Sequence, residues 1–263
     1  MKTSPSENGE YPEFCELASK DDLIFEVFRR HPAYTKIVET VSSDQGLDYI
    51  KIALNQQPKL KKYLPSFAIN DTVASPKTCF FKPSLFGRKI SFSPTTLRYI
   101  KTLSDLISIF GDLNQMRIIE IGGGYGGLCS IISRFFKITS YVHVDLPQSL
   151  ALCKRYLDAV EIKNTSFFTH NDFPRNETYD LVISNYAFSE LSGETQKFYL
   201  GNVLKKSSKG YLTCNLTTHT WDKAQMDEKE YMKHFKNLKI FKKSPPLGEI
   251  DLLCGVSLMV WTK

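Results

Sequence analysis

The chain has 263 residues, a net charge of +6, 42% apolar residues and six cysteines. That length suits one α/β domain with a helical extension and leaves ample material for a core. No run of about 18 apolar residues is present, and residues 1–10 are polar, which argues against a membrane span or a secretory leader and for a cytoplasmic protein. The charge is mild for a nucleic-acid binder. Lys59, Lys61, Lys62, the group at Lys205, Lys206 and Lys209, and the group from Lys236 to Lys243 read as solvated surface, with attraction to an anionic partner as the alternative. Cys15, Cys79, Cys129, Cys153, Cys214 and Cys254 form no C-x-x-C pair and sit largely in apolar runs, as buried thiols of a reducing compartment do.

In chain order, residues 1–18 read as a loose tail and 19–92 as a broken helical and irregular extension covering a substrate site. His31-Pro32, Ser42-Ser43-Asp44 and Pro58 cut its helices short. Residues 64–92 are rich in phenylalanine without a clear period, with a hairpin through Phe86-Gly87-Arg88-Lys89 as an alternative. Ser93-Pro94 then caps a helix whose apolar stripe is Leu97, Ile100, Leu103, Ile107 and Phe110, with Lys101, Asp105 and Ser108 turned away and Gly111 past its end. From there strands are predicted near 117–121, 140–144, 166–169, 179–184 and 210–216, with helices near 127–136, 147–159 and 194–206. A last strand lies in the run from Gly255 to Trp261. Alternation of this kind means a mostly parallel sheet with helices on both faces.

The most informative segment is Arg117-Ile118-Ile119-Glu120-Ile121 running into Gly122-Gly123-Gly124-Tyr125-Gly126-Gly127. Glycines there let the backbone turn sharply and let a ligand come close, and the helix behind them offers free N–H groups. Glu120 closes a strand buried on both faces, so its carboxylate is costly without a partner, and a ligand bearing hydroxyls or an ammonium supplies one. Gly122, Gly124 and Gly127 also satisfy the dinucleotide fingerprint, with Asp145 at a plausible distance beyond. An acid at the position of Glu120 is unusual for dinucleotide binders.

The order Glu120, Ile121, Gly122, Gly124, Gly126 resembles the first motif of class I S-adenosylmethionine-dependent methyltransferases. The resemblance implies a Rossmann-like fold of seven strands, the last inserted antiparallel, across residues 93–263. It implies that Glu120 and the turn Gly122, Gly123, Gly124, Tyr125 and Gly126 hold the amino-acid end of the cofactor. Asp145, followed by Leu146-Pro147, then takes the ribose hydroxyls. A carboxylate at a strand end can accept both hydroxyls, although an Asp before Pro also caps a helix. Asp172 and Phe173, closing the third strand, are placed by the resemblance on the adenine amino group and ring face; an Asx turn before Pro174 is the alternative. Asn185 and Tyr186 reach the carboxyl edge of the sheet, where ligands of open α/β sheets bind. Asn185-Tyr186-Ala187-Phe188 lacks the prolines of base N-methyltransferases, which counts against a nucleic-acid acceptor.

Together with the Asp145-Leu146-Pro147 step, the Asn185 to Leu191 segment and the Ser93-Pro94-Thr95-Thr96-Leu97-Arg98-Tyr99 helix start, the motif is similar to the sugar O-methyltransferases of bacterial polysaccharide gene sets, over roughly residues 90–216. The implied activity is methyl transfer to a hydroxyl of a sugar, glycan or glycan precursor. Such a hydroxyl needs a base as the bond forms. His219, in Thr217-Thr218-His219-Thr220-Trp221-Asp222, and Glu190 are the candidates, and Trp221 is a candidate platform for a sugar ring. Arg98, with Tyr99 at its side, is expected to pair with the cofactor carboxylate. No His, Asp or Glu spacing compels a metal. Another small-molecule or protein acceptor, a nicotinamide-dependent oxidoreductase and a non-catalytic binding module are the competing readings.

Overall fold

The structure is a computed structural model and describes Ser6 and residues 9–81, 90–215, 224–241 and 256–263. The N-terminal part folds as α1 (Glu10–Lys20), α2 (Asp22–Phe25), α3 (Pro32–Thr35), α4 (Ser43–Gln56) and α5 (Leu64–Phe67), joined by short 3-10 turns. A small hairpin follows, of β1 (Cys79–Phe81) paired antiparallel with β2 (Ile90–Phe92). The hairpin alternative therefore describes the pairing, while its turn at 86–89 lies outside the described residues.

The sheet domain begins with α6 (Pro94–Phe110), β3 (Arg117–Ile121), α7 (Gly127–Phe135), β4 (Ser140–Val144), α8 (Pro147–Ala159), β5 (Thr165–Phe168) and β6 (Tyr179–Asn185). It continues through α9 (Ala187–Glu190), α10 (Gly193–Asn202), β7 (Ser207–Asn215), α11 (Glu228–His234), β8 (Lys239–Phe241) and β9 (Val256–Thr262). The strand order is β5-β4-β3-β6-β7-β9-β8, seven strands with β9 antiparallel to both of its neighbours. This is the expected mostly parallel, Rossmann-like seven-stranded architecture, and its order reverses between β3 and β6.

Period-two alternation sorts the strands onto two faces. Ile118, Tyr141, Leu181, Ile183, Tyr211 and Leu258 pack with α6, α7 and α8. Ile119, Val142, Val182, Leu212 and Met259 pack with Phe188 of α9, Tyr199 and Leu200 of α10 and Tyr231 of α11. The extension adds a third layer on the first face, with α4 laid on α6 and α1 on α8.

Two expectations are corrected by the packing. Residues 10–18, expected as loose tail, belong to α1, whose Tyr11, Phe14, Cys15 and Ala18 are buried at spacings of three and four. Lys101 and Asp105, expected to face away from the core, are 3% and 0% exposed and form an ion pair at 2.8 Å, with the Tyr211 phenol donating to Asp105 Oδ2. Buried beside the Tyr211 phenol of β7, they pair with each other.

A buried polar knot ties this cover to the sheet domain. The Arg29 guanidinium, 1% exposed, donates to Glu39, to Asp71 Oδ1 at 2.8 Å, to the Asn70 carbonyl and to Ser93 Oγ. Asp71 Oδ2 in turn accepts the Ser93 N–H at 2.7 Å, and Ser93 Oγ caps α6 by accepting the Thr96 N–H. Guanidinium donors and two carboxylates in one place satisfy each other, which is the condition for burying charge.

Candidate active site

A cleft of about 540 Å³ opens at the carboxyl edge of the sheet, on either side of the point where strand order reverses. From the β3 side come Glu120, Gly122, Gly123 and Gly124, with Asp145 beside them from the end of β4. The β6 side supplies Asn185, Tyr186, Ala187 and Glu190, and α6 supplies Arg98 and Tyr99. The extension closes the remaining walls with Tyr11, Val38 and Tyr49 among others.

The glycine turn is shaped by positive φ at Gly122 (74°), Gly124 (56°) and Gly126 (87°). At Gly122 the demand is double, because a Cβ there would lie 2.1 Å from the Ala187 Cβ. The turn after β3 and the helix after β6 thus approach each other too closely for a side chain at this glycine. Ser184 fixes the same junction: its hydroxyl donates to the Ile121 carbonyl at 2.8 Å and accepts the Phe188 N–H at 3.1 Å. Tyr186 follows at φ 69° and ψ −38°, a conformation that costs a non-glycine residue on the order of 1–3 kcal/mol and clusters at functional sites.

Two carboxylates dominate the electrostatics. Glu120 is 2% exposed, and burial pushes its pKa up to about 7 although the Tyr141 phenol donates to Oε2 at 2.8 Å. Burial likewise raises Asp145 to about 6, against the lowering effect of the Leu146 and Gly124 N–H groups, which donate to its two oxygens at 2.7 and 3.2 Å. Neither acid has a lysine or arginine within 4.0 Å among the described residues. The Arg98 guanidinium lies 5.8 Å from the Tyr99 ring centre and 5.6 Å from that of Tyr186. Among the described residues its hydrogen bonding is limited to a long 3.5 Å contact with the Val38 carbonyl.

Ten of the sixteen site residues expected from sequence line this one cleft: Arg98, Tyr99, Glu120, Gly122, Gly123, Gly124, Asp145, Asn185, Tyr186 and Glu190. Five others are placed elsewhere. Tyr125 is fully buried in an aromatic cluster with Tyr99 and Tyr156, beneath the Arg29 guanidinium at 4.6 Å. Gly126 caps α7, and Leu146 caps α8 ahead of Pro147. Asp172 does not reach the cleft; its carboxylate accepts the Thr169 N–H and hydroxyl in a local turn, the alternative that its sequence left open. Phe173 is 3% exposed and packs against Phe198 and Tyr199, so it presents no ring face to a ligand. His219 and Trp221 lie outside the described residues.

Sequence reasoning missed Ser184 and the walls built by Tyr11, Val38 and Tyr49. A serine inside an otherwise apolar strand was the available signal for the first. The others come from the far end of the chain and carry no local mark. Among the described residues no group of three His, Cys, Asp or Glu is arranged to hold a metal ion, and no helix is long and apolar enough to cross a membrane.

No family model and no curated protein matches the chain. Solved structures do resemble it. One is a chain of the Haloferax volcanii complex between the Trm112 methyltransferase activator and a methyltransferase, at 16% identity over 63% of this chain and 90% of that one, with a TM-score of 0.47. PigF with SAH is 19% identical over 62% of this chain and 55% of its own, at a TM-score of 0.45. TrmK of M. capricolum, in complex with S-adenosyl-homocysteine, is 13% identical over 62% and 67%, at 0.42. Likeness this distant carries no argument about ligand or acceptor.

Proposed function

We propose that the chain is an S-adenosylmethionine-dependent methyltransferase that acts on a hydroxyl of a sugar, glycan or glycan precursor. One observation carries the reading: two buried carboxylates, Glu120 and Asp145, flank a glycine turn in one cleft, and burial raises the pKa of both. Burying two acids together is unfavourable unless a ligand brings hydrogen-bond donors or positive charge. A ligand with an ammonium at one end and vicinal hydroxyls further along satisfies both. A dinucleotide fits less well, because its pyrophosphate would approach the glycine turn beside Glu120.

The residues present fit that cofactor. Glu120 would accept from its ammonium, Arg98 would pair with its carboxylate, the backbone of Gly122–Gly124 would let it approach, and Asp145 would take the ribose hydroxyls. When bound, the cofactor supplies a methyl group activated by positive sulfur. The chain's own work is to position and deprotonate the acceptor. Glu190, on the β6 side of the cleft, is the base offered by the described residues, and Val38 and Tyr49 are part of the wall around it. The hydroxyl and amide groups of Thr40, Gln45, Tyr49 and Asn215 at the same cleft suit a polyhydroxylated acceptor, which supports the sugar reading.

Calorimetric titration with S-adenosylhomocysteine, run beside NADH, tests the cofactor. Binding of NADH alone would overturn the reading. For the acceptor, labelled methyl donor is incubated with nucleotide-linked sugars and oligosaccharides. Glu190→Gln should lower turnover by roughly 10²-fold or more with cofactor binding retained; unchanged turnover would remove Glu190 as the base.

A further inference from the structure

Glu120 is held by a single hydrogen bond among the described residues, and its donor is the phenol of Tyr141, one strand away on β4 at 2.8 Å. Both side chains are buried, Tyr141 at 1% exposure. The other groups around the acid do not replace that donor. His143 presents Nδ1 at 4.0 Å from Glu120 Oε2, but burial lowers its pKa to about 3, and neither ring nitrogen has a partner among the described residues. The imidazole is therefore neutral and brings no counter-charge. Tyr99 from α6, Cys129 from α7, Cys153 from α8 and Asp145 from the end of β4 also face the acid, and each would add negative charge, if any, on ionising. Above them the turn packs closely: a Cβ on Gly123 would sit 3.0 Å from both Glu120 Oε2 and His143 Nδ1, tighter than an ordinary contact. Burial and Asp145 work against an ionised Glu120, and the Tyr141 phenol works for it.

We infer that Tyr141 is a positioning residue for ligand binding: its phenol pins Oε2 of Glu120 beneath the glycine turn and keeps the carboxylate ionised and turned toward the cleft for a cationic group of the ligand. The inference rests on the proposed cofactor and assigns a role to a side chain outside the cleft. A hydrogen bond to an ionised acceptor is among the stronger ones, and it favours the charged form. Removing it should leave the shape of the strand unchanged but make Glu120 harder to ionise. The cost should then fall on ligands that carry an ammonium and should shrink as pH rises.

The test is titration of wild type and Tyr141→Phe with S-adenosylhomocysteine between pH 6 and 8.5, beside 5′-methylthioadenosine, which lacks the amino-acid end. The variant should bind S-adenosylhomocysteine about tenfold more weakly at pH 6.5 and approach wild type by pH 8.5, with 5′-methylthioadenosine affinity unchanged at every pH. An equal loss for both ligands, or a loss independent of pH, would make Tyr141 a packing residue and overturn the inference. Should the variant fold poorly, Glu120→Gln supplies the second arm. Its S-adenosylhomocysteine affinity should be weak at every pH, and an affinity as pH-dependent as wild type would equally overturn the inference. Failure of wild type to bind either ligand would instead sink the cofactor reading and this inference with it, a distinct outcome from a normal wild type and an unaffected variant.

Discussion

Replacing Glu120 by Gln should make the unliganded protein more stable at neutral and alkaline pH while weakening its binding. In the folded chain burial holds the Glu120 pKa at about 7, against 4.5 for the free side chain. Between those values the folded state holds a proton that the unfolded state has released, so stability falls as pH rises through this window. Below about pH 4.5 both states are protonated and there is no penalty. Above pH 7 the whole penalty is present, about 3 kcal/mol at 1.36 kcal/mol per pKa unit. Gln keeps the shape, still accepts from the Tyr141 phenol and carries no charge. Asp145, raised in the same direction, is present in both proteins, so the comparison between them isolates Glu120.

Urea unfolding followed by circular dichroism at pH 5, 6, 7 and 8 measures the difference. The two proteins should be close in stability at pH 5. By pH 8 the variant should lead by up to about 3 kcal/mol, or roughly 6–12 °C in melting temperature for a chain of this size. Saturating S-adenosylhomocysteine should flatten the pH dependence of wild type and do little for the variant, because the ligand's ammonium restores the missing counter-charge. Parallel stability curves for the two proteins from pH 5 to 8 would refute the reasoning, since they would mean that Glu120 ionises in the folded state as easily as in water. A gain in stability with a loss of binding is the signature of a residue kept for function.

Gly122→Ala should cost about 1–3 kcal/mol in the same urea assay and weaken cofactor binding at least tenfold, since its methyl would meet the Ala187 Cβ at 2.1 Å and its backbone has φ 74°; adding Ala187→Gly should recover part of the loss, and no recovery would place the strain in the backbone alone. Arg29→Met should destabilise the fold by about 3–5 kcal/mol by leaving Glu39 and Asp71 buried without a cation. Because Val38 in the cleft wall adjoins Glu39, cofactor affinity should fall as well, and a variant as stable as wild type would show that water reaches those carboxylates.

The sheet domain was legible because its signals are local. Strands at 117–121 and 140–144 and the helix at 147–159 fall where expected, each an apolar or periodic run bounded by Gly, Pro or Asx residues. The glycine turn and both carboxylates are legible for the same reason, being written within a few residues of a strand end. Less legible were positions where a local pattern has two tertiary outcomes. Asn171-Asp172 before Pro174 suits a turn and a ligand acid equally, and in the fold Asp172 Oδ1 accepts from Thr169 in a local turn. Lys101 and Asp105 at a spacing of four are ordinary on a solvated helix, and the Tyr211 phenol that meets Asp105 comes from a strand 106 residues further on. The tail was misjudged for another reason: Tyr11, Phe14, Cys15 and Ala18 do keep helical spacing, but α1 is on balance polar, and its Gly9 cap makes no side-chain bond.

Arg29 carries a role that no local pattern could announce. In sequence it is one of two adjacent arginines after Phe28, and nothing nearby distinguishes it from the exposed Arg30. In the fold it binds groups at 39, 70, 71 and 93, the last 64 residues away, and lies over the Tyr125 ring. Tyr125 follows Gly124 in the turn, and Ser93 opens the helix that carries Arg98. One buried cation therefore links the cap of α6, the glycine turn and the covering segment around Val38. A resemblance confined to residues 90–216 has no access to that link, because Arg29, Glu39, Asn70 and Asp71 all stand before residue 90. The extension is part of how the cleft is built: Tyr11, Val38 and Tyr49 line it, in places that only the packed chain defines.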